Sequence, residues 1–195
     1  MKAAALVIRE NKEGIMHLWE ETVRKEIPKI RDTEHLVLLN IVPRILDDVA
    51  QVLEQSYEKK NLLNDINLDK IKEENIDHGR HRATSANYNE KRIIEEQIIL
   101  HKTLIITLKN YNAYNEEVGI VLSLVIEKSM SYSAKSFSAS LQDMREKLIG
   151  TLAHDIRNPL STALIGLSAV DYKDGEEQVN IIIGMAAKSL KRLSI

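Results

Sequence analysis

Between Thr151 and Leu167 the chain reads TLAHDIRNPLSTALIGL, and His154, Asp155, Asn158 and Pro159 fall within two turns of one another. Leu148, Leu152, Ile156, Pro159, Ala163 and Leu167 recur at three- and four-residue spacing, so the segment predicts a helix with one apolar stripe. His154 is two residues from both Leu152 and Ile156, about 200° round the helix at about 100° per residue, and therefore points away from the stripe. Asp155 is adjacent, and a carboxylate there can fix the tautomer of the imidazole and raise its basicity. Asn158 stands one turn on, on the same face, where its amide can hold a water beside any group the ring carries. Pro159 removes a backbone donor and is expected to bend the helix just past the site. The set describes a nucleophilic imidazole that takes a group from a visiting active site.

The longer stretch REKLIGTLAHDIRNPLSTALIGL resembles the H-box of sensor histidine kinases. His154, Asp155, Arg157, Asn158, Pro159 and Leu160 fill the motif in order, with Asp155 where many members carry Glu. The resemblance covers 142–195, the dimerisation and histidine-phosphotransfer hairpin. It implies that His154 is the phosphoacceptor and attacks the γ-phosphate of ATP. It implies that Asp155 is the base or orienter, and that Asn158 assists dephosphorylation of a response regulator receiver domain. It also implies that two hairpins pair into a homodimeric four-helix bundle. Such kinases bind ATP and Mg²⁺ through a further domain with Gly-rich boxes. The seven glycines here stand at 14, 79, 119, 150, 166, 175 and 184, with no G-x-G. The chain, which stops in mid-pattern at Ile195, is therefore expected to be a truncated fragment, inactive without its own ATP-binding domain. A stand-alone phosphotransfer protein is the second option.

The elements that must position this site read as helices throughout. A first helix is expected over 3–27, with Ile15, Trp19, Val23 and Ile27 on one face and Pro28 ending it. A second starts near Asp32 or Thr33, both good N-caps, breaks between Asn40 and Pro43, and runs to Tyr57. The polar, Asn-rich 59–75 reads as a connection with short helical turns. The apolar signal stays weak to Arg92, where Gly79 marks a bend or a close backbone approach. From Asn89 to Asn110 a wide stripe returns (Ile93, Ile94, Gln97, Ile98, His101, Leu104, Ile105, Leu108). A long helix follows from Asn112 to Val170. Its segment 129–140 holds six serines in twelve residues. The spacing of Met130, Phe137, Leu141 and Met144 favours helix there over strand, with a surface linker as the alternative. The stripe shifts phase across the serines, which are weak helix formers, so the segment is expected to be the least stable part. DYKDG makes a turn, and Val179, Ile182, Ile183, Ala186, Leu190 and Leu193 line the last helix.

The front half resembles the N-terminal domain of the RsbT co-antagonist family, RsbRD type, on Trp19, Pro28, Pro43 with Leu46, and His78-Gly79-Arg80-x-Arg82. That resemblance implies an all-helical sensor, in some relatives globin-like without haem. His78, Arg80, His81 and Arg82 form a basic cluster. It reads either as a site for an anion or carboxylate ligand, or as a structural set in which the arginines pair with acids and His78 caps a helix. His101, inside an apolar stripe, is either a core histidine or an axial haem ligand.

Composition sets the outer bounds. Hydrophobic residues are 44% and charged residues 29% of the 195 positions, the net charge is −2, and cysteine is absent. Bulk charge recruits neither nucleic acid nor anionic membrane, and thiolate metal sites and disulfides are excluded; no metal site is expected. The longest apolar run, Val118–Ile126, is far shorter than the roughly 20 residues of a membrane span, so a cytoplasmic protein is expected. The expected architecture is an all-α chain with a sensor domain over 1–128, a serine-rich signalling-helix linker over 129–141 and the phosphotransfer hairpin over 142–195. A signal would change helix packing across the serines and so the access to His154. The rival readings are a stressosome-like scaffold without phosphoacceptor activity and a haem-based gas sensor.

Overall fold

The computed structural model describes residues 1–56, 69–85, 87–170 and 175–193, and these are helical with no strand among them. Two compact units divide the chain, Met1–Leu141 and Gln142–Ile195. No helix among the described residues is long and apolar enough to cross a membrane.

The first unit begins with α1 (Lys2–Glu10) and α2 (Lys12–Glu26), where one helix was expected. Asn11 separates them with φ −108° and ψ 19°, and its side-chain amide donates to the Val7 carbonyl at 2.9 Å. That local bond offers the backbone an alternative to continuing the helix. The break lets each piece choose its own partner: α1 packs on α4 (Val42–Ser56), and α2 packs on α6 (Glu90–Asn110). Pro28 opens a 3-10 turn to Ile30. Helix α3 (His35–Leu39) starts after Glu34. The expected caps Asp32 and Thr33 lie in the preceding turn, where the Thr33 N–H donates to the Ile30 carbonyl at 3.0 Å. The interruption before Pro43 is present. Pro43 sits in the first turn of α4, where its missing N–H costs no helical bond.

Helix α5 (Asp69–Ala83) extends the short helical turns expected in the polar stretch to a full helix from Asp69 on, while 59–68 lie outside the described residues. Gly79 lies inside α5, and of its two expected roles it takes the close backbone approach. The inner face of α5 is polar: Asn75, His78 and Arg82 are buried. Helix α6 is capped by Asn89, whose side chain accepts from the Arg92 N–H at 3.0 Å. Its buried face is turned relative to the expected stripe. Ile99 and Leu100 are inside, while Ile94 and Ile98 are each more than a third exposed. Helix α7 (Glu116–Ser168) starts four residues later than expected, because Asn112 takes a left-handed φ of 54° and Asn115 caps by accepting from the Val118 N–H at 2.9 Å. The core joins Ala4, Ile8, Trp19, Val23, Leu46 and Leu104 with Val118, Leu122, Val125 and Ile126 of α7.

The serines of α7 are helical and packed within the first unit. Ser129, Ser133 and Phe137 are buried against α5. The Ser136 hydroxyl donates to the Ile76 carbonyl at 2.7 Å, and the Ser138 hydroxyl to Glu90. A Cβ on Gly79 would lie 2.3 Å from the Ser133 carbonyl oxygen and 2.8 Å from the Phe137 nitrogen. The two helices therefore cross backbone to backbone, and glycine on one side with serine on the other is what permits it.

The second unit is an antiparallel hairpin of the last part of α7 and α8 (Glu176–Lys191). The Ser189 hydroxyl donates to the Pro159 carbonyl at 3.1 Å, Ala163 and Ala186 are buried, and Gly166 faces Ile182. The rising and falling numbers of these pairs fix the antiparallel sense. The expected DYKDG turn lies largely outside the described residues.

Gly79→Ala should destabilise the first unit by about 1–3 kcal/mol, since the new methyl meets main-chain atoms that cannot rotate away. Gly14→Ala, with nothing within 4 Å of its Cβ position, should instead gain up to about 1 kcal/mol from helix propensity. Urea melts of the two variants against the parent check both signs.

Candidate functional site

Helix α7 runs unbroken through His154, Asp155, Arg157, Asn158 and Pro159. A proline at 159 leaves the Asp155 carbonyl without its helical donor, and the Pro159 carbonyl is taken by Ser189 of α8. The imidazole of His154 and the carboxylate of Asp155 are 70% and 65% exposed, so both are open to a partner. The Asp155 Oδ1 lies 3.3 Å from His154 Nδ1. Asn158 Nδ2 lies 3.2 Å from Nε2 and 3.4 Å from Nδ1. The spacing expected from helix geometry thus brings the acid and the amide onto the same ring. With a proton on Nδ1 shared toward Asp155, the Asn158 amide is within reach of the Nε2 lone pair, and moving that amide aside frees Nε2 as a nucleophile.

The basic cluster at 78–82 does not converge on one point. Arg80 points outward, 67% exposed and 3.4 Å from Asp77. His81 is part-buried. His78 and Arg82 turn inward, almost wholly buried, and meet Glu96 of α6. All three nitrogens of Arg82 donate: Nε to Glu96 Oε2 at 3.1 Å, and the two terminal nitrogens to the Val37 and Leu38 carbonyls at 2.7 Å each. Its guanidinium also lies over the Tyr88 ring, 4.7 Å from the centroid. These two side chains serve an internal carboxylate.

Glu96 is the centre of that set. Its Oε2 accepts from His78 Nε2 at 3.2 Å and from Arg82, its Oε1 accepts from the Tyr88 hydroxyl at 2.6 Å, and its main-chain carbonyl accepts from the Trp19 indole at 3.1 Å. Burial alone would raise the Glu96 carboxyl, but the Arg82 charge and the His78 and Tyr88 hydrogen bonds hold it below its ordinary 4.5. Burial, with Arg82 beside it, pushes the His78 imidazole below its ordinary 6.5. Burial and the Glu96 charge push the Tyr88 phenol up. From His78 the contacts continue through Gln97 and Asn75 to Ser129 and Ser133 of α7.

Glu96, Tyr88 and Asn75 were not singled out by the sequence, and Gln97 only as a member of the stripe of α6. The one available signal was a Glu and a Gln in the middle of an apolar stripe, facing a run of cations elsewhere in the chain. His101 is half-buried, with its Nε2 buried and without a hydrogen-bond partner, and burial pushes it below its ordinary 6.5. Among the described residues no group of three or more His, Asp or Glu side chains is placed to hold a metal ion. No protein-family model, curated protein or solved structure matches the chain.

Glu96→Ala should cost about 3–5 kcal/mol, because it strands Arg82 and leaves His78 without an acceptor. The pH dependence has a fixed sign. His78 and Glu96 both bind protons less readily folded than unfolded, so stability is full above pH 6.5. It falls as pH drops below 6.5 through His78, and again below 4.5 through Glu96. Urea melts at stepped pH should show both losses in the parent and a smaller lower loss in Glu96→Gln, where Glu20, also held below its ordinary 4.5 by Arg24 and His35, still contributes.

Proposed function

We propose that this chain is the sensory and phosphoacceptor portion of a cytoplasmic two-component histidine kinase, with His154 as the residue phosphorylated. The observation that carries this reading is the exposed imidazole of His154 with Asp155 at Nδ1 and Asn158 at Nε2 on one helical face. Nε2 attacks the γ-phosphorus of ATP held with Mg²⁺ by a separate catalytic domain, and the Nδ1 proton moves toward Asp155 as the ring becomes cationic. The bond from the γ-phosphorus to the bridging oxygen breaks and ADP departs. A receiver-domain aspartate then takes the phosphoryl group from Nε2, and in the separate dephosphorylating step the Asn158 amide orients a water that hydrolyses the receiver's aspartyl phosphate to carboxylate and inorganic phosphate. Arg157, on the same exposed stretch, offers its charge to the incoming phosphates.

The hairpin supports a homodimer. Leu148, Leu152, Ile156, Leu164, Ile181 and Met185 are each about half exposed or more. An antiparallel pair of helices with that much apolar surface open is half of a four-helix bundle, and a second copy would cover it. The buried Glu96 network belongs to the unit we read as the sensor, where it fixes how α7 is held.

Phosphorylation in trans tests the assignment. The chain mixed with ATP, Mg²⁺ and a histidine-kinase catalytic domain should acquire acid-labile phosphate. His154→Ala should carry none and Asp155→Asn should label at least tenfold more slowly, both with unchanged melting temperature. Absence of label with the catalytic domain native to this chain would favour the scaffold reading. Sedimentation equilibrium tests the dimer: Leu152→Lys should weaken self-association by tenfold or more, as expected for about 1.5–3 kcal/mol of buried apolar side chain lost per copy.

A further inference from the structure

A single run of hydrogen bonds crosses the first unit from Arg82 to α7, and its polarity is set by its first member. The Glu96 carboxylate only accepts, so His78 carries its proton on Nε2, 3.2 Å away. Nδ1 is then a lone pair, and the Gln97 amide nitrogen, 3.4 Å away, donates to it. The same nitrogen is 3.4 Å from Asn75 Oδ1. That oxygen also accepts from the Ser133 hydroxyl at 3.0 Å, while Asn75 Nδ2 donates to Ser129 at 3.1 Å. Each group in the run is oriented by the one before it, and the last two sit on the helix that continues to His154.

One atom does not fit this arrangement. Gln97 is 1% exposed and its Oε1 is buried without a partner. A half-satisfied buried amide is costly, and turning this one over would present Oε1 to a proton on His78 Nδ1. The unused oxygen is the acceptor that a protonated His78 needs. The same turn withdraws the amide nitrogen from Asn75.

We propose that His78 is a proton-operated latch on α7. In its neutral form it holds Gln97 and Asn75 in the orientation that grips Ser129 and Ser133. Protonated at Nδ1, it reverses Gln97 and loosens that grip. The groups facing it set the direction. Arg82 and His81 on α5 oppose a further positive charge, Glu96 on α6 favours it, and Tyr88 already spends its proton on Glu96. The groups that α2 and α7 bring to the network are uncharged: the Trp19 indole on the Glu96 carbonyl, and the Ser129 and Ser133 hydroxyls on Asn75. Burial weighs on the same side as Arg82, so the latch is closed at neutral pH and opens on acidification. The latch rests on the first unit alone; its relay to His154 rests on the phosphoacceptor reading.

The test needs no phosphoryl transfer, so its failure and the failure of that reading are separable. The chain has no cysteine, so Glu73→Cys with Lys135→Cys places one spin label on α5 and one on α7 at exposed positions. On titration from about pH 8 to about pH 5, across the ordinary imidazole range, the label separation should change by about 1–2 Å. The emission of Trp19, the single tryptophan, should change with the same midpoint, and far-UV circular dichroism should not. His78→Gln should abolish the change. Gln97→Glu, which offers an acceptor to Nδ1 permanently, should move the midpoint up by about one pH unit. A separation constant across the titration, a change that persists in His78→Gln, or a loss of helix at the same midpoint overturns the proposal. Should His78→Gln not fold, an unmoved midpoint in Gln97→Glu overturns it.

Discussion

A carboxylate buried in the middle of a helical unit constrains everything around it. Glu96 is 1% exposed and ionised, and an ion taken out of water must find its compensation within hydrogen-bond reach. Arg82 supplies the charge, which places α5 across α6. Arg82 in turn needs acceptors for its other nitrogens and finds them in the Val37 and Leu38 carbonyls at the end of α3. The orphaned carbonyls of a five-residue helix are thus satisfied by the group that neutralises Glu96. Trp19 fastens α2 to the same residue through its main-chain carbonyl. Apolar contact alone tolerates a range of helix angles and slides. A charge with several fixed partners admits one arrangement.

The same constraint explains the serines. Read as a helix-weakening stretch, 129–140 suggested the least stable part of the long helix. In the folded unit their small size matters more than their low propensity. Ser133 lets the main chain of α7 come within contact of Gly79, and the hydroxyls of Ser129 and Ser133 finish the polar run that starts at Arg82. Phe137, buried one turn further on, supplies the bulk that the serines lack and fixes the register of the crossing.

What could be read in advance follows from which physics each element uses. The apolar faces of α4 and α7, the break before Pro43 and the extent of α6 from Asn89 to Asn110 were legible because burial of Ile, Leu and Val repeats at helical spacing and prolines punctuate it. The ring, acid and amide at 154, 155 and 158 were legible because all three lie on one turn of one helix. Helix α5 was not, because its buried face is Asn75, His78, Gly79 and Arg82, which a hydropathy pattern scores as surface. The partner that makes those residues interior, Glu96, is 14 positions from Arg82 and 18 from His78. Asn11 was missed for a related reason: one side-chain bond to Val7 ends a helix whose apolar rhythm continues on both sides.

The two units therefore use opposite solutions to the cost of polarity. In the hairpin the apolar surface is left open, and the pair His154–Asp155 stands in solvent. In the first unit the ionisable pair His78–Glu96 is sealed, and any change of state must be answered by rearranging its neighbours. A solvent-exposed imidazole suits a group that is loaded and unloaded repeatedly. A buried one suits a group whose single proton is read by the packing around it. Helix α7 takes part in both, through Ser129 and Ser133 at one level and His154 at another. Of these contacts, the sealed network is the one in which a change of one proton alters which atoms α7 is bonded to.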